Sequence, residues 1–363
     1  MAPSKVFVVG GTGAQGMPII RGLVKDNAYS CRVLTRDVNS ARAQQLLALG
    51  NIELRTGTFA SEKDLRNGFR GCEYAFINID GFNAGEKTEI FWAMRAYELA
   101  LEEGVKFFVY GNLDYGYKMG GYDPQYRCGH YDGKGRVGEW ILRQNKDNGR
   151  HMGVALFTTG PYIEMVLAAG TVMAPVIESD GTLVWRVPLG DGAVPHVALE
   201  DYEYYVRWLF DHQTEANGID LQVAIDHIEY EELAAAFTKV TGKPARYENI
   251  DLETHWKLAN LGPNLDVSAG YNARKEDAAT LSIRQNFTGF WNLWRASGGN
   301  RSVIRRDYTL LDRIHPNRIK SAEEWFRREE ERGLQAGLGS FYERAGDLRP
   351  VLKVSEDGWR GRI

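Results

Sequence analysis

Val6-Phe7-Val8-Val9 runs directly into Gly10-Gly11-Thr12-Gly13-Ala14-Gln15-Gly16, and a helical pattern follows from Met17. Gly11, Gly13 and Gly16 satisfy G-x-G-x-x-G, and Gly10, Gly13 and Gly16 satisfy the wider G-x-x-G-x-x-G spacing. A pyrophosphate approaches a backbone closely only where Cβ atoms are absent, and the N–H groups opening the next helix then point at the anion. An apolar strand, a glycine turn and a helix in that order predict a dinucleotide site at Gly10, Gly11, Thr12, Gly13, Ala14, Gln15 and Gly16. The competing reading is a glycine turn that holds no ligand.

The choice between the two dinucleotides falls at the end of the second strand, about 20 residues past the glycines. There the chain reads Leu34-Thr35-Arg36-Asp37. An acidic residue in first place would take the ribose hydroxyls of NAD, whereas a guanidinium suits the 2′-phosphate of NADP. Arg36 therefore predicts NADP(H). An exposed strand-end arginine, with Asp37 on a ribose, is the other possibility.

These residues need elements to hold them. Short β-type runs at Lys5–Val9, Cys31–Thr35, Ile52–Arg55, Tyr74–Ile79, Lys106–Tyr110 and Gly153–Phe157 alternate with helical patterns at Met17–Lys25, Ser40–Leu49, Glu62–Phe69, Glu86–Glu103 and Gly135–Asn145. Helix-length crossovers between strands predict an α/β fold, a Rossmann-type doubly wound parallel sheet. After Pro161 the rhythm loosens: a sheet element at Thr182–Val187, helices near Asp201–Asp211 and Tyr230–Val240, a strand at Asp220–Ile225, then helices near Glu253–Asn260, Glu276–Arg295 and Ala322–Arg332. The expected organisation is a nucleotide-binding domain over residues 1–160 and a smaller, partly helical C-terminal lobe over 161–363. In that lobe Phe287, Phe290, Trp291 and Trp294 share one helix face, as core or as a wall for a flat aromatic substrate.

Composition narrows the class. With 44 Lys+Arg against 48 Asp+Glu the net charge is −4, the wrong sign for tracking phosphates, so no nucleic-acid partner is expected. No apolar run approaches the roughly 20 residues that span a bilayer, and the N-terminus lacks a secretory pattern, so a cytoplasmic protein without a membrane partner is expected. Cys31, Cys72 and Cys128 read as reduced packing thiols. Histidine spacing offers no metal motif and no Gly-x-Ser-x-Gly elbow occurs, which removes hydrolase chemistry.

The glycine loop, Thr35-Arg36-Asp37, Phe76-Ile77-Asn78 and His130-Tyr131-Asp132-Gly133-Lys134-Gly135 together resemble the NmrA-like family of atypical short-chain dehydrogenase/reductases. That resemblance implies NADP(H), with residues from Arg36 to Ser40 around the adenosine phosphate and Asn78, Ile79 and Asp80 along the cofactor. Where many relatives carry Gly-Asp after the third strand, Gly57-Thr58 stands here, which weakens the usual adenine contact. The wider superfamily uses Tyr-x-x-x-Lys; here the Tyr slot holds His130 while Lys134 keeps the lysine, implied to contact the nicotinamide ribose and in reductases to assist proton transfer. The segment from Thr158 to Met165 resembles the loop around the nicotinamide, with Tyr162, Ile163 and Glu164 in it; Tyr162 either covers the cofactor or offers its hydroxyl to substrate. Asn112 and Tyr115 are active-site candidates or ordinary turn residues. The family contains reductases and non-catalytic regulators, so two functions follow: an NADPH-dependent reductase of a carbonyl, imine or activated alkene on a hydrophobic small molecule, or an NADP(H) sensor that binds a protein partner.

Overall fold

The structure is a computed structural model and describes residues 3–168, 170–258, 265–273 and 277–345. Six strands come from the N-terminal half: β1 (Ser4–Val9), β2 (Tyr29–Thr35), β3 (Ile52–Thr56), β4 (Tyr74–Ile77), β5 (Phe107–Leu113) and β6 (Gly153–Thr159). Later come β7 (Val176–Ile177), β8 (Leu183–Val187), β9 (Val194–His196), β10 (Asp220–Gln222), β11 (Asp226–Ile228) and β12 (Ala245–Asn249). The main sheet is parallel and seven-stranded, in the order β10-β6-β5-β4-β1-β2-β3. Parallel strands covered on both faces read as continuous apolar runs, and Val6 to Val9 are buried accordingly.

Winding starts at β1 and proceeds outward in both directions, so β1 and β4 are neighbours whose connections leave to opposite sides. A crevice opens at the carboxyl ends of strands at such a switch point. One face of the sheet packs on the helices Gly16–Val24 and Tyr202–Asp211 through Ile19, Ile20, Leu23, Tyr205 and Leu209. The other packs on Glu62–Phe69, Glu86–Glu102 and Gly129–Asn148 through Leu65, Phe69, Ala93, Ala96 and Ile141. The sheet does not end with residue 160, because β10 joins it beside β6 with Leu221 opposite Phe157.

A third core lies in the remainder of the C-terminal half, where β12-β8-β7 form a small sheet. Trp185, Phe237, Trp291, Trp294, Trp325 and Phe326 fill it. Phe290, Trp291 and Trp294 are core residues, which settles most of the aromatic stripe; Phe287 is only partly buried. The stripe's helix runs Ile283–Arg295, later than the expected start at Glu276, because Ser282 and Gln285 close a capping box there; Glu276 lies outside the described residues.

The largest difference from expectation is the helix Gly129–Asn148, which begins six residues before the expected start at Gly135. Its glycines suggest a broken helix by propensity. In the fold they permit contact: a Cβ on Gly135 would sit 2.5 Å from Tyr115 Cα. Packing outweighs propensity, and His130 and Lys134 thereby share one helix face.

Candidate functional site

The glycine loop lies at the carboxyl end of β1, facing the crevice. Gly10 has φ +82°, and a Cβ there would run into the Asn78 carbonyl; one on Gly11 would lie 2.6 Å from Val33 Cγ1; one on Gly16 would strike Gly10 and Gly11. These three glycines serve the turn's own packing. Gly13 differs: the sole neighbour of its Cβ within 4 Å would be the Gly10 carbonyl oxygen, at 3.1 Å. Gln15, the N-cap of Gly16–Val24, gives that helix no side-chain cap, and of the opening N–H groups Met17 N donates to Gly13 O at 3.1 Å.

At the end of β2, Asp37 and Ser40 are committed to the turn. Asp37 Oδ1 accepts from Asn39 N at 2.8 Å, while Ser40 Oγ donates to Asp37 O at 3.0 Å and caps Ala41–Leu47 by accepting from Ala43 N. Arg36 is half-buried beside them. Sequence reasoning missed Arg42, in the first turn of that helix, whose Nη1 donates to Thr12 O at 3.1 Å across the glycine loop. Its signal was an arginine just inside a serine-capped helix, which points back toward the helix N-terminus.

Lys134 meets more partners than expected. Its Nζ lies 2.7 Å from Glu89 Oε1 and donates to Ile79 O at 2.7 Å, to Asn78 Oδ1 at 3.1 Å and, more weakly, to Gly111 O at 3.4 Å. An ammonium has three N–H groups, and these acceptors take them all. Glu89 is fully buried; burial drives its carboxyl upward in pKa and the Lys134 charge opposes that. The sequence signal for Glu89 is its place on the apolar stripe with Ala93, Ala96 and Ala100, where a carboxylate stands out.

From Lys134 a hydrogen-bonded line joins the segments that follow β4, β1 and β6. Asn78 Nδ2 donates to Gln15 Oε1 at 3.2 Å, and Gln15 Nε2 donates to the Tyr162 hydroxyl at 3.0 Å. Burial raises the Tyr162 phenol above its ordinary range. Asp80 accepts from Phe82 N at 3.0 Å and caps Gly81–Ala84. Other expected residues turn elsewhere. Ile79 lends its carbonyl while its side chain is core; Ile163 packs into the C-terminal core; Glu164 Oε1 accepts from Leu199 N at 3.0 Å, with Glu200 and Glu329 nearby rather than the glycine loop. Burial pushes the Glu164 carboxyl up to about 8. Asn112 donates to Thr158 Oγ1 at 2.8 Å, and the Tyr115 hydroxyl accepts from Arg136 at 2.8 Å, so both hold structure. Asp64 Oδ2 accepts from Thr58 N at 3.1 Å, bringing a carboxylate to the turn where the chain carries Thr58.

Beside Lys134 stands an aromatic wall. Phe82 and Phe287 lie nearly parallel, centroids 5.9 Å apart and planes 9° apart, and His130 packs 4.5 Å from Phe82 and 5.7 Å from Phe287. All three are partly buried. Rings left partly open beside a polar line suit a flat apolar ligand with one polar group.

A glycine loop at the switch point of a doubly wound parallel sheet defines a Rossmann-type fold. Residues 2–289 match the NmrA-like family, and the chain belongs to that family. It is 26% identical over 260 residues to the NmrA-like family domain-containing oxidoreductase hkm9 of Aspergillus hancockii, covering 68% of this chain and 75% of that protein. Among solved structures it resembles NmrA, a negative transcriptional regulator in complex with NADP, with TM-score 0.71 and 16% identity over 94% of this chain and all (100%) of that one. It also resembles the Citrobacter sp. triphenylmethane reductase complexed with NADP(H), with TM-score 0.64 and 15% identity over 90% of this chain and 99% of that one. No helix among the described residues is long and apolar enough to cross a membrane.

Proposed function

We propose that this chain is an NADP(H)-dependent oxidoreductase that reduces a carbonyl, imine or activated alkene on a hydrophobic, flat small molecule. The observation that carries this reading is convergence: the glycine loop, the Arg36 and Arg42 end, the line from Lys134 to Tyr162 and the aromatic wall follow one carboxyl-edge crevice. NADP-bound and NADP(H)-bound fold neighbours, and a relative named an oxidoreductase, support it.

In this reading the pyrophosphate lies against residues 10–16, where Gly13 is the least crowded of the loop glycines, with only the Gly10 carbonyl oxygen close to its Cβ position. Arg36 meets the 2′-phosphate from a turn that Ser40 stabilises, and Arg42 adds a second guanidinium near the loop. Reduced nicotinamide supplies a hydride when bound. Asn78, Gln15 and Tyr162 orient the reactive end, and the Ile79 carbonyl and Asp80 hold the backbone there. Lys134 pins Asn78 and Ile79 from beneath, which replaces the direct proton-transfer role that the resemblance implies.

The test is a titration of NADPH and NADH, followed by NADPH oxidation with fluorenone, phenanthrenequinone and dihydroisoquinoline as probes. Wild type should bind NADPH more tightly than NADH and reduce at least one probe. Gly13→Val should weaken binding of either dinucleotide at least about 100-fold while the protein stays folded. NADPH binding without turnover, together with NADPH-dependent capture of a protein partner, favours the sensor and refutes the reductase.

A further inference from the structure

Four features set His130 apart from its neighbours. First, His130 and Lys134 are four residues apart on the helix Gly129–Asn148 and lie on one face. Second, the Lys134 N–H groups donate to Ile79 O, Asn78 Oδ1 and Gly111 O, and the ammonium is paired with Glu89, so lysine has none to offer a substrate. Third, Nδ1 of His130 is held from the lobe side: Asn286 Nδ2 lies 2.9 Å away, Asn286 Oδ1 3.2 Å and Cys128 Sγ 3.4 Å. Asn286 is 1% exposed, and the capping box at Ser282 and Gln285 fixes the start of its helix. Fourth, no hydrogen bond reaches Nε2 among the described residues, although the ring is only partly buried and lines the aromatic wall.

Of the two Asn286 contacts to Nδ1, the one from Nδ2 is the shorter and fits one tautomer. With Asn286 Nδ2 donating into Nδ1, the single proton of a neutral imidazole sits on Nε2. Burial lowers the ring to about 4 and the Lys134 charge acts in the same direction, while Asn286 Oδ1 would oppose only by accepting from a protonated Nδ1, so the ring is neutral at physiological pH. A neutral imidazole with a fixed N–H is an effective donor toward an oxygen that gains negative charge.

Resting on the reductase reading, we propose that His130 is the catalytic residue that meets the substrate oxygen, donating from Nε2, with Asn286 as the positioning residue that fixes its tautomer. As the carbonyl carbon gains a C–H bond from the hydride, the C=O π pair moves to oxygen. The Nε2–H bond breaks with its pair left on nitrogen, the O–H bond forms, and the resulting imidazolate takes a proton from water and releases hydroxide. Each carbonyl reduced therefore consumes one hydride and one proton.

NMR of isotope-labelled histidine in the protein with NADP+ bound tests the tautomer without turnover, His130→Phe serving to assign the signal. The expected result is a neutral ring with the proton on Nε2 from about pH 5.5 to about pH 8.5, becoming a tautomer mixture in Asn286→Leu. A proton on Nδ1, or a charged ring at neutral pH, overturns the proposal. In turnover of fluorenone or phenanthrenequinone, His130→Phe keeps a stacking ring but no N–H, and should lower kcat at least about 100-fold with little change in NADPH affinity. Asn286→Leu should cost about tenfold in kcat, in step with its loss of the single tautomer. Full kcat in a folded His130→Phe overturns the assignment and leaves the reductase intact. A wild type that binds NADPH and oxidises none overturns the reductase reading, and the His130 role with it.

Discussion

At the glycine-loop end, residues 10–16 are contiguous and carried by one strand, one turn and one helix, with Val33 of β2 and Asn78 just past β4 packed against Gly11 and Gly10. At the Lys134 end, the contacts come from Gln15, Asn78, Ile79, Glu89, Gly111, Lys134 and Tyr162, with Tyr162 standing 147 positions after Gln15. The first end can be written into a short motif because backbone sterics and helix N–H direction act locally. The second exists only once the sheet has assembled, since its polar groups satisfy one another across elements. A substitution in the loop should therefore act on binding, and one in the assembled end on folding as well.

The largest effect that would break this contrast concerns Lys134. Lys134→Ala leaves Glu89 buried beside no cation, and the expected loss is about 3–5 kcal/mol of folding stability by denaturant titration. Glu89→Gln in the same background should restore much of it. A Lys134→Ala protein as stable as its parent would show the pair to be unimportant to the fold, leaving lysine available for another task.

A smaller effect sharpens the loop end. Arg36→Ala should weaken NADPH by about 1.5–3 kcal/mol, the scale of a charge-assisted contact, and leave NADH and stability nearly unchanged. Calorimetric titration of both cofactors decides it, and equal losses for NADPH and NADH refute the phosphate role. A residual preference for NADPH in this variant should then disappear on adding Arg42→Ala.

The smallest concerns Glu164, which the fold turns away from the glycine loop. Its folded-state pKa of about 8 stands above the ordinary 4.5, so the folded chain holds a proton that the unfolded chain has released. Stability from this group is present below about pH 4.5 and is lost as pH rises through about 8. Glu164→Gln carries no charge at either end of that window. It should match its parent in Tm near pH 4.5 and exceed it by a few degrees above pH 8; equal differences at both would remove the carboxyl from the account.

Much of the fold was legible in the residues. The helix Glu62–Phe69 has the expected bounds, and β1 to β6 fall on the expected runs, because buried parallel strands and amphipathic helices carry different periods. The misreadings share a cause. The glycines of Gly129–Asn148 concealed its first turn, since propensity says nothing of what a missing Cβ admits. The run expected as Asp220–Ile225 ends at Gln222, and nothing local to it announces a partner as remote as β6.

The sequence by itself determined the doubly wound class, the glycine turn, the arginine at the end of β2 and the spacing of His130 and Lys134. Each depends on neighbours within a few turns of the chain, where sterics and periodicity act. Tertiary structure alone decided that Glu89 takes the Lys134 ammonium, that Gln15 joins Asn78 to Tyr162 and that Asn286 holds one nitrogen of His130. Those are pairings of buried polar groups distant in sequence. Which acceptor a buried donor finds depends on which elements close over it, because burial without a partner is the costly alternative.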